Sequence, residues 1–280
     1  MRPANIVTAV ADILAGVSVA GFLWQGGNWW WLILATIGLY GGGVVFNDVF
    51  DADLDRVERP ERPIPSGQVS VQQAAALGLI MLLAGIACAF RVSIASGFLA
   101  TAVALLAVLY DKYAKHHSWL GPLNMGACRG GNLLLGISFS LLALQEYWWL
   151  ALIPVVFISD ITLTSQGEVT GRNQRAIQLA LGLDWIVLGA FLAIHFATRF
   201  NVLHALPFLV LWAWMNTGSK LKAIRQNEPA LIMRAVKMGV LSLIPLNAAL
   251  SAGFSGLLAG LLVLCLLPVS LGLARLFAVT

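Results

Sequence analysis

Ten apolar runs, divided by short polar segments, leave this chain few ways to fold. They are Ile6–Trp24, Trp29–Phe46, Val71–Phe90, Ile94–Tyr110, Leu120–Leu144, Tyr147–Leu163, Ala176–Ala197, Val202–Met215, Leu231–Leu250 and Gly256–Ala278. Most approach the roughly 20 residues a helix needs to cross the hydrocarbon core. Val202–Met215 is short for that task. Only 11% of the 280 residues are charged and 59% are hydrophobic, with a mean hydropathy of +0.85. A soluble chain carries about a quarter charged residues. The expected fold is all-α, a polytopic transmembrane helix bundle in the lipid bilayer. No linker-like stretch divides the chain, so residues 1–280 read as a single domain. The first run follows a single Arg and precedes no clear cleavage site, so it reads as a retained span and not a signal peptide.

The net charge of +4 hides a strong asymmetry in placement. With the spans alternating from the N-terminus, every one of the 17 Lys and Arg residues falls on one side except Arg91 and Arg199. The positive-inside rule makes that side cytoplasmic. An integral protein of the cell inner membrane, with its polar motifs facing the cytoplasm, is the expectation. Trp29–Trp31, Trp148 and Trp149 then lie near the outer interface, where tryptophan anchors helix ends.

Cys88, Cys128 and Cys265 sit far apart in apolar runs and read as small core residues. Gly41–Gly43 read as sites of close helix packing. No Walker motif, dinucleotide fingerprint, zinc spacing or nucleophile elbow is present, and no nucleic-acid partner is expected. The basic stretch Lys220 to Lys237 reads by default as a loop attracted to anionic headgroups.

The stretch Asn47-Asp48-Val49-Phe50-Asp51-Ala52-Asp53-Leu54-Asp55 follows the second run almost without a break. On a helix Asp48, Asp51 and Asp55 share one face, and Asn47, Asp51 and Asp55 form the adjoining ridge. Asp53 falls off that face. Crowded carboxylates repel, so convergence calls for a multivalent cation or for protonation. A hard cation such as Mg2+ suits oxygen ligands and leaves room for a phosphate. A solvated acidic loop leaving a membrane helix accounts for the same spacing. Asp12, inside the first run, reads either as a cavity-facing group or as an interhelical hydrogen-bonding partner.

Arg59 and Arg62-Pro63-Ile64-Pro65-Ser66-Gly67 follow at once. Asn-Asp-x-x-Asp-x-x-x-Asp before Arg-Pro-x-Pro-Ser-Gly resembles the first motif of the UbiA superfamily of intramembrane prenyltransferases. The opening Arg2-Pro3-Ala4-Asn5 is similar to the start of that family, where the Asn faces the active cavity. The resemblance implies nine spans where hydropathy counts ten, and it implies Mg2+ as cofactor. It also implies that Tyr110 faces the substrate and that Lys115, or Lys112 as second candidate, binds diphosphate. The ring of Tyr110 would stabilise an allylic cation. Arg129, beside Gly130 and Gly131 in the fifth run, calls for a buried carboxylate or phosphate.

The family's second motif departs from its usual form here. Gly167-Glu168-Val169-Thr170-Gly171 keeps the frame with Glu for Asp, but the acidic position four residues earlier is Thr164. Asp160, two turns before Glu168, is the residue expected to compensate. Ser165-Gln166-Gly167-Glu168 is similar to the EboC-type branch, a weaker match than the superfamily.

What the resemblance implies is electrophilic prenyl transfer from a polyprenyl diphosphate. Asn47, Asp48, Asp51, Asp55, Asp160 and Glu168 would hold Mg2+; Arg62, Lys115, Arg129 and Arg172 would neutralise the diphosphate. The acceptor is not identified, an aromatic one being among the candidates. Two other readings stand beside this one: a non-catalytic binder or carrier of prenyl lipids, and a cation-coupled transporter. Acids gathered at one rim rather than at the bilayer midplane count against the last.

Overall fold

The computed structural model describes residues 3–117, 119–165 and 174–276, and these are all helix and connecting turn. The helices are α1 (Pro3–Val19), α2 (Trp30–Phe50), α3 (Ala52–Glu58), α4 (Val71–Phe90), α5 (Ile94–Lys112), α6 (Leu120–Ile137), α7 (Leu141–Tyr147), α8 (Leu152–Ser165), α9 (Gln174–Ala197), α10 (Val202–Gln226), α11 (Pro229–Ser255), α12 (Leu257–Leu264) and α13 (Leu266–Leu276). Short 3-10 turns at 114–116 and 148–151 join α5 to α6 and α7 to α8.

Local chemistry sets many of the boundaries. Ser70 and Gln73 form a reciprocal capping box at the start of α4, and Ser93 caps α5. Asn227, in the left-handed region at φ 48°, ends α10, and Pro229 opens α11 two residues later. Gly256, at φ 90°, turns the chain from α11 into α12.

Among the described residues, seven helical segments are long and apolar enough to cross a membrane, counting α7–α8 and α12–α13 as one each. α1, at 17 residues, is shorter. Large side chains such as Phe196, Leu142 and Trp185 lie exposed on the bundle's outer surface. Hydrocarbon, not water, is the solvent that suits such a surface.

Two expectations are corrected. The fifth run does not extend to Leu144: α6 stops at Ile137, and Ser140 caps α7, which belongs to the next span. The short run ending at Met215 continues as helix to Gln226, so Lys220 is a buried helical residue and not part of a loop.

Without a hydrophobic force between helices in lipid, close backbone packing binds them. A Cβ on Gly16 of α1 would stand 2.5 Å from the Leu133 carbonyl oxygen of α6, and one on Gly136 would stand 2.5 Å from that of Ile13. α2 and α4 meet the same way through Gly38 and Gly85. Gly16→Val therefore has to push α1 and α6 apart, at an expected cost of about 1–3 kcal/mol. A lower midpoint of thermal unfolding in detergent is the expected result.

Candidate active site

The acidic stretch folds as a bent but nearly continuous helix. α2 ends at Phe50, Asp51 takes φ −90° and ψ 3°, and α3 begins at Ala52. The i→i−4 bonds run on across the bend: Asp51 N–H donates to the Asn47 carbonyl at 3.0 Å, and Asp55 N–H to that of Asp51 at 2.8 Å. Asp48, Asp51 and Asp55 consequently stay on one side. Asp53 points into solvent, where Arg56 pairs with it at 2.7 Å.

Two cations sit among those carboxylates. Arg62, on the loop after α3, folds back so that one Nη1 lies 2.6 Å from Asp55 and 3.4 Å from Asp48. Lys115, in the turn after α5, donates to Asp51. Asn47 donates to Asp111, at the end of α5, at 3.1 Å. The other candidate lysine, Lys112, is exposed and stands over the Tyr113 ring at 5.0 Å, away from the acids.

These groups surround the mouth of a cavity of about 490 Å³. Its lining comes from the starts of α1, α6 and α11 and the ends of α2, α5 and α8, which alternating helices bring to one end of the bundle. Asn47, Asp51, Tyr110 and Asp111 stand at the mouth; Leu39, Val103, Ile158, Val240 and Leu243 form an apolar wall. Asn5 lines the same space. So does Tyr40, which sequence reasoning missed inside an apolar run where only its position about two turns before Asp48 could have flagged it.

A polar wall continues inward. Arg129 Nη2 donates to Thr8 at 2.6 Å, and its Nε lies 3.0 Å from Asp12 Oδ2, off the hydrogen-bond axis but at ion-pair distance. Asn132 and Asn247 donate to the two oxygens of Asp12 at 2.9 and 2.7 Å, and Thr36 donates to Asn132 at 2.7 Å. The interhelical reading of Asp12 holds, and Asp12 also pairs with the Arg129 that lines the cavity. The buried partner expected for Arg129 is a carboxylate.

Asp160 is a correction. It does not line the cavity; it is buried on another side of α8, with both oxygens within 2.7 Å of Lys220 Nζ. The same ammonium reaches both oxygens of Asp184, on α9, at 2.9 and 3.0 Å, and Asn216 adds a hydrogen bond to Asp184 at 2.7 Å. Helix periodicity explains the miss. The cavity face of α8 carries Ile158, Ile161, Thr162 and Ser165, so position 160 points elsewhere. Thr164 is buried too. Glu168, Arg172 and the remainder of the second motif lie outside the described residues. Asn216 and Lys220, four apart on α10, were the signal that could have revealed this cluster.

The mouth offers hard carboxylate and amide oxygens, the donor chemistry that suits Mg2+. Among the described residues no three acidic, His or Cys groups converge on one point; Arg62 bridges Asp48 and Asp55, and Lys115 pairs with Asp51. The residues present fit the ion in kind.

Comparison with known proteins agrees with the geometry. A model of the UbiA prenyltransferase family matches residues 6–165. The chain is 30% identical over 227 residues to a digeranylgeranylglyceryl phosphate synthase of Methanoregula boonei, covering 78% of each chain. It is 29% identical over 208 residues to the enzyme of that name from Sulfurisphaera tokodaii, covering 64% of this chain and 71% of the relative. A UbiA homolog from Aeropyrum pernix K1 superposes with a TM-score of 0.76 at 18% identity, over 89% of this chain and 98% of that one. A UbiA homolog from Archaeoglobus fulgidus, solved with GPP and Mg2+, gives 0.59 at 10% identity, over 89% and 97%. More than half of this sequence lies within the family's model and its helices follow the family's path, so the chain belongs to the UbiA prenyltransferase family.

Proposed function

We propose that this protein moves a prenyl group from a polyprenyl diphosphate to an acceptor held in the cavity, with the motif end of the bundle facing the cytoplasm of the cell inner membrane. The observation that carries this reading is the rim of Asp48, Asp51, Asp55, Arg62 and Lys115 over a cavity whose inner wall is largely apolar. The rim suits a diphosphate and the wall suits an isoprenoid tail. Residues 1–280 read as one domain, since α1, α2, α5, α6, α8 and α11 all contribute to that cavity.

Asn47, Asp48, Asp51 and Asp55, with Glu168 from the second motif, would hold Mg2+. When bound, the ion supplies positive charge to the diphosphate oxygens, where negative charge grows as the C–O bond breaks. Arg62, Lys115 and Arg172 add cationic hydrogen-bond donors to the same oxygens. Arg129 is withdrawn from that role, because Asp12 already balances its charge. Tyr110, in the cavity lining, offers its ring to an allylic cation. The surrounding helices keep out water that would quench that cation.

The test is release of diphosphate by purified protein in lipid nanodiscs, with Mg2+, geranylgeranyl diphosphate and a membrane extract as the source of acceptor. Release that stops with EDTA supports transfer. Mg2+-dependent binding of a thiolodiphosphate analogue with no release would favour the carrier reading. That reading has one observation behind it: Asp160 does not replace the acid missing at Thr164.

The same observation predicts the effect of restoring the missing acid. Thr164 is 1% exposed, so Thr164→Asp places a charged carboxylate in a buried site. The variant should lose about 1–3 kcal/mol of stability. It should not lower the Mg2+ concentration for half-maximal release, as a titration of release against Mg2+ would show.

A further inference from the structure

We propose that the acceptor is an uncharged molecule that presents a hydroxyl group to the cavity, in contrast to a phosphate- or carboxylate-bearing one. The inference rests on the prenyl-transfer reading and adds the chemical class of the second substrate.

Arg129 is the one cation among the described residues that line the cavity. A guanidinium in a buried pocket is ordinarily the feature that selects an anion. Here Asp12 stands 3.0 Å behind it, buried, with each oxygen also taking an amide hydrogen bond from Asn132 or Asn247. The Arg129–Asp12 pair is neutral as a unit. An anion docking on Arg129 would face the Asp12 charge across one guanidinium. Drawing Arg129 away would leave Asp12 buried and unpaired, which is strongly unfavourable.

The rest of the cavity points the same way. Its other charged lining groups, Asp51 and Asp111, are acids. In a space of about 490 Å³ an anionic acceptor would also repel the donor's own diphosphate. The inward wall instead offers hydroxyl and amide groups from Thr8, Thr36 and Asn132, with Tyr40 beside them. Thr8, Thr36 and Asn132 already donate to the Asn5 carbonyl, to Asn132, and to Ala9 and Asp12, so their oxygens remain as acceptors, which suit a hydroxyl donor and not an anion.

The step balances simply. A lone pair of the acceptor hydroxyl forms the new O–C bond as the C–O bond to diphosphate breaks. Diphosphate leaves with the electron pair of the broken C–O bond, and the hydroxyl proton passes to it.

The test uses two probes that differ by one phosphate group, octylglycerol and its phosphate monoester. Each is titrated by calorimetry into full-length protein in detergent, with Mg2+ and geranylgeranyl thiolodiphosphate already bound. Octylglycerol should bind at least about 10-fold more tightly than its phosphate ester. Asp12→Asn, which leaves the Arg129 charge unbalanced, should reverse that preference. Asp12→Asn/Arg129→Gln, which removes both charges, should keep the preference for the neutral probe. A phosphate ester that binds wild-type protein as tightly as octylglycerol overturns the inference. So does an unchanged preference in Asp12→Asn, or thiolodiphosphate binding with no binding of either probe. Failure to bind thiolodiphosphate at all overturns the prenyl-transfer reading, and the inference falls with it.

Discussion

Lys220→Met should destabilise the protein by about 3–5 kcal/mol, the expected penalty for leaving a buried charge without its partner. Lys220 is 1% exposed, and its ammonium touches all four oxygens of Asp160 and Asp184. Methionine fills similar volume but leaves two carboxylates facing each other in a membrane interior. The same logic gives an opposite expectation for a neighbouring change. Two acids share one base, so Asp160→Asn leaves a matched Lys220–Asp184 pair and should cost little. Thermal unfolding in detergent would rank the two. Similar losses in both variants would show that the cluster does not act through charge balance. Asp160→Asn also separates this role from metal binding: it should leave the Mg2+ dependence of diphosphate release unchanged.

Asp51→Asn is expected to give the largest functional loss, about 100-fold or more in Mg2+-dependent diphosphate release, as for other preorganised charged groups at reacting centres. Asp51 lies at the bend between α2 and α3, lines the cavity mouth and holds Lys115. Asparagine keeps the shape and removes the charge. Asp53→Asn is the control: its carboxylate is solvent-exposed and its pair with Arg56 is worth at most about 1 kcal/mol. Release should stay close to wild type in that variant. Equal losses would refute the claim that the face shared by Asp48, Asp51 and Asp55 does the chemistry. Asp51→Asn should also free Lys115, so weak binding of a prenyl diphosphate without Mg2+ should improve.

What the sequence made legible was what local periodicity encodes. The three acids at i, i+3 and i+7 stay on one side because the helix bonds cross the bend at Asp51. Asp53 stands apart for the same reason. Apolar runs located the helices, but averaging over Ser138–Ser140 merged the end of α6 with α7. Polar residues hid the second half of α10 in the same way. Partners distant in sequence were not legible. Nothing local says that Lys220 balances Asp160 and Asp184, or that Asn247 reaches Asp12 across the bundle. The expected role for Asp160 failed because it counted turns toward Glu168 without asking which face of α8 those turns present.

The ion pairs at the rim bear on how ligands would load. Lys115 rests on Asp51 and Arg62 on Asp55, so each cation suited to an anion is parked on an oxygen suited to a metal. A divalent ion arriving alone must displace them and leave two cations without counterions. A diphosphate arriving alone must strip them from carboxylates that then repel one another. When both arrive, each rearrangement supplies what the other lacks. Their affinities are then reciprocally linked, each ligand raising the other's by the same factor. Such a rim would discriminate against solitary Mg2+ and stray phosphate alike.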